Sequence, residues 1–246
     1  MNAFFNQLKI QFVMDLREKG TLLTIYIVPL VFYAVMGAVF ASINPASKET
    51  LAASMAIFAV TMGAVLGIPA PLVKLRESGV LRAYEVNGIP GWAVLLTSAV
   101  SALLHLLAVA VIIFLTAPVF FGATIPGNCA AYFVTLATLL FASISIGLLL
   151  GVTARNQASA TMLSQAVFLP SLLLGGLMFP ASMLPEPLMW LGRLYPATHA
   201  MSSFQSWAYG IPQEITPAVS LAVMAAIGAV VLFIAVRRFR SLLKMQ

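Results

Sequence analysis

Six long stretches of this sequence contain no aspartate, glutamate, lysine or arginine, and this pattern constrains the fold more than any other feature. A helix needs about 20 mainly apolar residues to cross a hydrocarbon core roughly 30 Å thick. The stretches of this length are residues 21–42, 51–71, 92–121, 130–152, 158–179 and 217–236. The sequence therefore predicts an all-α integral membrane protein with six spans, forming one transmembrane domain over residues 1–246. The third stretch is long enough either to tilt or to end before Pro118.

The composition supports this class and argues against several others. Hydrophobic residues make up 61% of the chain and charged residues 8%, whereas soluble domains carry roughly 25% charged residues. The single cysteine, Cys129, excludes an intrachain disulfide framework and a cysteine-built metal site. With only His105 and His199 as further soft ligands, we expect no metal site.

The few basic residues are unevenly distributed between the two sides of the predicted membrane. Eleven of the thirteen fall on one side, and the other side has only Lys48 and Arg193. The eleven are Lys9, Arg17, Lys19, Lys74, Arg76, Arg82, Arg155, Arg237, Arg238, Arg240 and Lys244. Because lysine and arginine accumulate in cytoplasmic loops, we expect both termini in the cytoplasm. The net charge of +6 then indicates topology and attraction to anionic membrane lipid, not nucleic-acid binding.

Residues 3–18 precede the first stretch and have an amphipathic pattern. The apolar residues near one helical face are Phe4, Phe5, Leu8, Phe12, Val13 and Leu16, while Asn6, Lys9, Asp15 and Arg17 fall mostly elsewhere. We predict an interfacial helix over residues 1–20. The alternative is a cytoplasmic extension of the first span. The first apolar stretch is too long for the hydrophobic region of a cleaved signal peptide, so it is predicted to be a true span.

The loop at residues 72–91 is the most charged part of the chain. A short helix from about Lys74 to Glu85 is predicted, ended by Gly88 and Pro90. The density of charged and aromatic side chains favours a docking element for a cytoplasmic partner over an ordinary solvated loop. The next loop on this side, residues 153–157, carries Arg155 as a minor contact or only a turn.

The segment at residues 180–216 is much longer than the other predicted outer loops. Its prolines divide it into two short helical pieces, about 186–194 and 198–209. Four aromatic residues suit the membrane–water interface: Trp190, Tyr195, Trp207 and Tyr209. We expect a pair of half-helices that re-enter or lie on the outer leaflet and pack on the fifth and sixth spans, because exposed backbone at depth must be covered by protein.

The motifs of self-powered transport and of catalysis are not found. No lysine lies in a G-x-x-x-x-G-K-[ST] phosphate loop, and the spans contain no acidic residue for an ion relay. His105 is the ionisable residue at depth, and Ser101 lies four residues before it on one helical face. Without an orienting acid, this pair is a weak signal for an enzyme, and a histidine hydrogen-bonded between helices is favoured.

Two G-x-x-x-G motifs occur, at Gly63–Gly67 and Gly147–Gly151. Small residues at this spacing allow helices to approach closely. We expect them to serve packing within or between chains.

Three segments together resemble the permease subunits of type-2 ABC transporters, the class that includes drug and antibiotic exporters. The stretch from residue 75 to 96 matches the E-x-G-x-L and proline signature of that family at Glu77, Gly79, Leu81 and Pro90. The stretch after the fifth span matches at Gly176, Phe179, Pro180, Pro185 and Pro196. The amphipathic start and the six-span layout extend the resemblance over nearly the whole chain.

The resemblance implies an ATP-driven exporter in a bacterial or archaeal inner membrane. A separate cytoplasmic ATPase subunit, in two copies, would bind ATP and magnesium, so this chain would hold no cofactor and would be no enzyme itself. A second permease chain, expected to be identical, would complete the complex. The residues implied to couple to the ATPase are Lys74, Arg76, Glu77, Gly79, Arg82, Tyr84, Glu85 and Arg155.

The resemblance also implies an export path along the first, second and fifth spans. Methionine and phenylalanine adapt to varied hydrophobic ligands, which suits an amphiphilic substrate such as a drug, an antibiotic or a lipid-like molecule. The candidate path residues are Met55, Phe58, Met62, Met162, Gln165 and Phe168. The candidate outer-gate residues are Phe179, Pro180, Trp190, Tyr195 and Trp207. The alternatives are a permease for polysaccharide or lipid-linked glycan, and an ion-coupled carrier or intramembrane enzyme using His105 with Ser101 or Gln165.

Overall fold

The fold is known from a computed structural model that describes residues 2–43, 48–79, 91–177 and 183–243. Within these ranges the regular elements are all helices. Six of the helices are long and apolar enough to cross a membrane. The predicted all-α, six-span membrane architecture is therefore confirmed.

The described helices follow the order of the predicted segments. The N-terminal helix is Asn2–Arg17. The first span consists of Lys19–Leu22, a π-helical turn at Leu23–Ile27, and Val28–Ile43. The second span consists of Leu51–Gly67 and Pro69–Glu77. The remaining spans are Gly91–Phe121, Cys129–Thr153, Gln157–Leu174 and Pro217–Leu243. Between the last two spans lie two short helices, Glu186–Gly192 and Pro196–Ser203, and the second continues into a π-helical turn at Phe204–Ala208. We call them the outer helices after the side of the membrane predicted for them.

Two helix boundaries differ from the predicted ones. The third span reaches Phe121 as predicted, with Pro118 inside the helix. The fifth span ends at Leu174, five residues early, because Gly176 adopts a left-handed φ of 75°, a common way to end a helix. The second span breaks at Pro69, which lacks the backbone N–H that would continue the helix, and then extends to Glu77.

The second span lies at the centre of the bundle. In its most apolar stretch 89% of the residues are buried, against 22–56% in the other spans. Both G-x-x-x-G motifs place glycines where the second span contacts its neighbours. Gly63 and Gly67 lie against Leu106 of the third span and Ile25 of the first. The second motif, on the fourth span, also faces the second span, so both motifs serve packing within one chain.

Gly147 makes the closest of these approaches and provides a test of the packing. A Cβ atom at Gly147 would overlap the backbone carbonyl oxygen of Ala64, and backbone cannot rotate away as a side chain can. We expect Gly147→Ala to lower the free energy of unfolding by about 1–3 kcal/mol through overpacking, measured by thermal unfolding of the purified chain in detergent. Gly20→Ala is the matched control, because no atom in the described part of the chain lies within 4 Å of its Cβ position. Equal stability of the two variants would contradict the close contact between the second and fourth spans.

Candidate functional site

The ends of the spans define two faces of the protein. The face with most of the basic residues is called the basic face. It carries Lys9, Arg17, Lys19, Lys74, Arg76, Arg155, Arg237, Arg238 and Arg240 among the described residues. Lys48 and Arg193 lie at the opposite face. On the basic face, the end of the second span and the loop between the fourth and fifth spans form the candidate coupling surface.

The structure corrects the predicted coupling helix. Lys74, Arg76 and Glu77 lie in the last two turns of the second span and do not begin a separate helix. The helix ends at Glu77, and Gly79 takes a left-handed φ of 70°. The prediction of a continuous helix from residue 74 to 85 is therefore wrong. A right-handed helix requires a negative φ, and the positive φ that glycine allows at position 79 interrupts it. The candidates Arg82, Tyr84 and Glu85 lie outside the described residues.

Arg76 joins the second span to the loop between the fourth and fifth spans. Its Nη1 atom lies 3.0 Å from the carbonyl oxygens of both Gly151 and Val152, and 2.9 Å from that of Ala154. The last carbonyl groups of a helix have no partner within the helix, and a positive charge at that end is favoured by the helix dipole. Arg76 thus caps the fourth span, and its guanidinium is used inside the chain.

The other described coupling candidates are exposed around this cap. The Lys74 side chain is 63% exposed and its Nζ lies 2.9 Å from Glu18 Oε1, linking the coupling surface to the end of the N-terminal helix. Glu77 and Arg155 are exposed. Arg155 precedes Asn156, whose side chain caps the fifth span by accepting the Ser159 N–H at 2.8 Å. Lys74, Glu77 and Arg155 are therefore all exposed at the coupling surface, and Lys74 is held by its ion pair with Glu18.

A second polar arrangement joins the N-terminal helix to the first and third spans. Asp15 accepts hydrogen bonds from Ser101 at 2.5 Å and from Gln11 at 2.8 Å. His105 Nδ1 lies 2.7 Å from the Tyr26 hydroxyl, and Phe12 stacks on the His105 ring with centroids 4.2 Å apart. We call these six residues the Asp15 cluster: Gln11, Phe12, Asp15, Tyr26, Ser101 and His105.

The sequence missed the acid in this cluster. The amphipathic pattern placed Asp15 away from the apolar face, whereas the structure places it beside Phe12 on the face that packs against the third span, and leaves Phe5, Ile10 and Met14 exposed. The available signal was the spacing of Asp15 from Phe12. Residues i and i+3 share a helical face, so Asp15 belongs on the same face as Phe12.

The Asp15 cluster is better suited to docking than to catalysis. Ser101 donates to Asp15 and not to His105, so the serine is not paired with a base as nucleophilic catalysis requires. His105 Nε2 lies 3.8 Å from Asp15 Oδ2. The adjoining cavity is only about 40 Å³, room for little more than water. Gln165, the other proposed partner, is exposed on the fifth span.

We expect the docking of the N-terminal helix to depend on the Asp15 carboxylate. Asp15→Leu removes both hydrogen bonds and leaves the Ser101 hydroxyl without its acceptor, which costs about 1.5–3 kcal/mol for a bond to a charged group. Hydrogen exchange in residues 5–17 should accelerate at least tenfold, as a loss of about 1.4 kcal/mol implies. Asp15→Asn keeps an acceptor oxygen and is the control, with a smaller change expected. Unchanged exchange in Asp15→Leu would show that the helix docks through its apolar contacts alone.

Three of the candidate path residues lie together between the first, second and fifth spans. Phe58 stacks on Phe32 with ring centroids 4.0 Å apart and meets Phe168 edge-on at 6.0 Å. Met62 packs against the same cluster. We call Phe32, Phe58, Met62 and Phe168 the aromatic cluster.

The other three candidates lie apart from the aromatic cluster. Met162 is 74% exposed, and Gln165 is also exposed, both on the outward face of the fifth span. Met55 is 1% exposed and is packed in the main core of the chain. The structure therefore gives Met55 no access to a path along the surface of a single chain.

At the opposite face the outer helices cover a cavity of about 410 Å³ beside the end of the fifth span. Trp190 is exposed, and the Arg193 guanidinium lies over its indole ring, 4.4 Å from the ring centroid. Arg193 also forms an ion pair with Glu214 at 3.2 Å. Tyr195 is half-buried and Trp207 is 39% exposed. Burial raises the pKa of Tyr209 above its ordinary value, so its hydroxyl stays protonated. Phe179 and Pro180 lie outside the described residues.

Comparison with known proteins assigns this arrangement to a family. A family described as "ABC-2 type transporter" matches residues 3–209, from the N-terminal helix to the end of the outer helices. Over 184 residues, 74% of this chain, the sequence is 29% identical to the protein named "Inner membrane transport permease YhhJ" of Escherichia coli K12. Over 159 residues, 64% of this chain, it is 29% identical to "ABC transporter G family member 20" of Dictyostelium discoideum.

These alignments span 49% of the Escherichia coli relative and 22% of the Dictyostelium relative, so the chain corresponds to half or less of either protein. The family match itself covers most of the present chain and includes the Arg76 cap, the Asp15 cluster and the aromatic cluster. On this evidence the chain is a multi-pass membrane protein that belongs to the ABC-2 type transporter family.

Proposed function

We propose that this chain is the permease subunit of an ATP-driven exporter for a hydrophobic or amphiphilic substrate, such as a drug, an antibiotic or a lipid-like molecule. A separate cytoplasmic subunit binds ATP and magnesium, and two such subunits act on two permease chains. The basic face is cytoplasmic, as the distribution of lysine and arginine favours, and the membrane is a bacterial or archaeal inner membrane. The family match supports the transport role.

The single observation that supports coupling to an ATPase is the Arg76 cap. Lys74, Glu77 and Arg155 are exposed for a partner, while Arg76 ties the backbone beneath them to the fourth and fifth spans. Force applied to the exposed residues is therefore transmitted to the second, fourth and fifth spans together. Such a rigid connection suits rocking of packed helices between two states.

The aromatic cluster supports the choice of substrate class. Phe58, Met62 and Phe168 form an apolar, deformable contact between the spans, in which both phenylalanines are buried. Met162 and Gln165 are exposed on the outward face of the fifth span. A glycan requires many hydrogen-bonding groups, and this region offers few. For ATP hydrolysis to move the substrate, the binding free energy of the substrate must differ between the two states.

The proposal is tested by purifying the full chain from native membranes together with its ATPase. In proteoliposomes we expect a fluorescent amphiphilic dye to stimulate ATP hydrolysis. The double variant Phe58→Ala/Phe168→Ala should lose at least four-fifths of that stimulation. Phe120→Ala, a 71% exposed phenylalanine at the end of the third span, is the control and should keep it. Dye transport by the chain alone under an ion gradient would overturn the proposal.

A further inference from the structure

The third, fourth and sixth spans enclose an apolar groove that the proposed transport path does not use. Its volume is about 420 Å³, within the range of small-molecule sites. The main lining residues are Val100, Leu103, Ala137, Phe141, Ile144 and Leu232. The hydroxyl of Ser145, which also lines the groove, donates to the Phe141 carbonyl at 2.7 Å. The groove therefore offers no free polar group and suits a hydrocarbon occupant.

The groove lies close to an uncompensated positive charge. Arg237, Arg238 and Arg240 are exposed at the basic end of the sixth span, and none has an ion pair with the residues that the structure describes. They follow the groove residue Leu232 by five to eight residues, about 8–12 Å along a helix. The Arg237 guanidinium lies 4.4 Å from the Phe233 ring centroid, which draws this charge back toward the membrane.

These distances match the dimensions of a phospholipid in one leaflet. Half of a hydrocarbon core roughly 30 Å thick is about 15 Å, so a headgroup beside the arginines has its acyl chains at the depth of Leu232. Basic residues at a membrane surface attract anionic lipid by about 1 kcal/mol each. We propose that the groove binds one acyl chain of an anionic phospholipid whose phosphate group lies against Arg237, Arg238 and Arg240.

This inference rests on the proposed function in one respect. We take the export path along the first, second and fifth spans to lie between the two permease chains, which leaves the groove on the third, fourth and sixth spans facing lipid. If the groove instead met a second copy of the chain, its occupant would be protein. The experiment therefore has one arm for each occupant.

The first arm measures retained lipid. The full chain is reconstituted in vesicles of equal phosphatidylglycerol and phosphatidylcholine, extracted in mild detergent, and analysed by native mass spectrometry. We expect at least one phosphatidylglycerol per chain, and a loss of at least fivefold in Ala137→Phe, which fills the groove. Val134→Phe, at a 46% exposed site one turn away, should retain the lipid. Equal retention by both variants would overturn the proposal.

Headgroup recognition has its own variant. Replacing Arg237, Arg238 and Arg240 by glutamine should abolish the preference for phosphatidylglycerol over phosphatidylcholine, while Lys9→Gln, an exposed lysine of the N-terminal helix, should leave it intact. A triple variant that still prefers phosphatidylglycerol would refute the assigned phosphate position.

The second arm tests for a second copy in the groove. The chain has one cysteine, Cys129, so Cys129→Ser provides a background for Ala137→Cys. We expect no disulfide-linked dimer on oxidation of membranes containing this variant. Efficient cross-linking would overturn the lipid assignment and also the proposed arrangement of the two permeases, whereas lost lipid selectivity without cross-linking would leave that arrangement intact.

Discussion

Replacing Arg76 with methionine is expected to lower substrate-stimulated ATP hydrolysis by the assembled transporter at least tenfold. The variant removes the contacts of Nη1 with three carbonyl oxygens and leaves the end of the fourth span uncapped. Hydrogen bonds from a charged group contribute about 1.5–3 kcal/mol where they are shielded from water. The half-buried position of Arg76 puts the expected loss of stability in the lower part of that range.

Two further variants separate coupling from general destabilisation. Arg76→Lys keeps the charge but replaces the planar guanidinium, so it should recover only part of the ATPase stimulation. Arg17→Met removes an exposed arginine of the same face and should behave like the wild type. Basal and stimulated ATP hydrolysis are compared at equal amounts of assembled complex. Wild-type stimulation in Arg76→Met would show that the cap carries no force from the ATPase.

Gly79→Pro is expected to abolish stimulated ATP hydrolysis while the chain still inserts into the membrane. The φ of 70° at Gly79 is inaccessible to proline, whose ring fixes φ near −65°. Among the residues that the structure describes, no atom lies within 4 Å of the Gly79 Cβ position, so the expected effect comes from the backbone φ. The direction in which the chain leaves the second span should therefore change.

Asparagine provides the matched control for this position. Asparagine visits the left-handed region more readily than most residues, so Gly79→Asn should keep most of the activity, and Gly79→Ala should lie between the two. Insertion is checked by the amount of protein in washed membranes, and activity by ATP hydrolysis with and without dye. Similar activity in Gly79→Asn and Gly79→Pro would exclude a role for the left-handed turn in coupling.

The spans could be predicted from sequence because one physical requirement determines them. A crossing helix must be long and free of charge, and each predicted stretch corresponds to a helix in the structure. Boundaries were less accurate where glycine or proline acts locally. The fifth span ends at Leu174 because of the turn at Gly176, and the second span breaks at Pro69 and continues to Glu77.

Contacts between distant segments could not be predicted in the same way. Arg76 was predicted in a separate loop helix and lies instead near the end of the second span. Sequence pattern does not show that its partners are carbonyl groups 75 to 78 residues further on. The hydrogen bond of Asp15 with Ser101 spans 86 residues. Both depend on how the helices pack, which their individual periodicity does not specify.

The central position of the second span has a consequence for biogenesis. This helix leaves the ribosome early, whereas most of the surface that covers it belongs to the third, fourth and fifth spans, which are synthesised later. Its mean hydropathy of 2.1 allows it to remain in lipid before those partners arrive, as two-stage assembly requires. The glycine contacts with Ala64 and Leu72 therefore form by lateral association inside the bilayer, after insertion is complete.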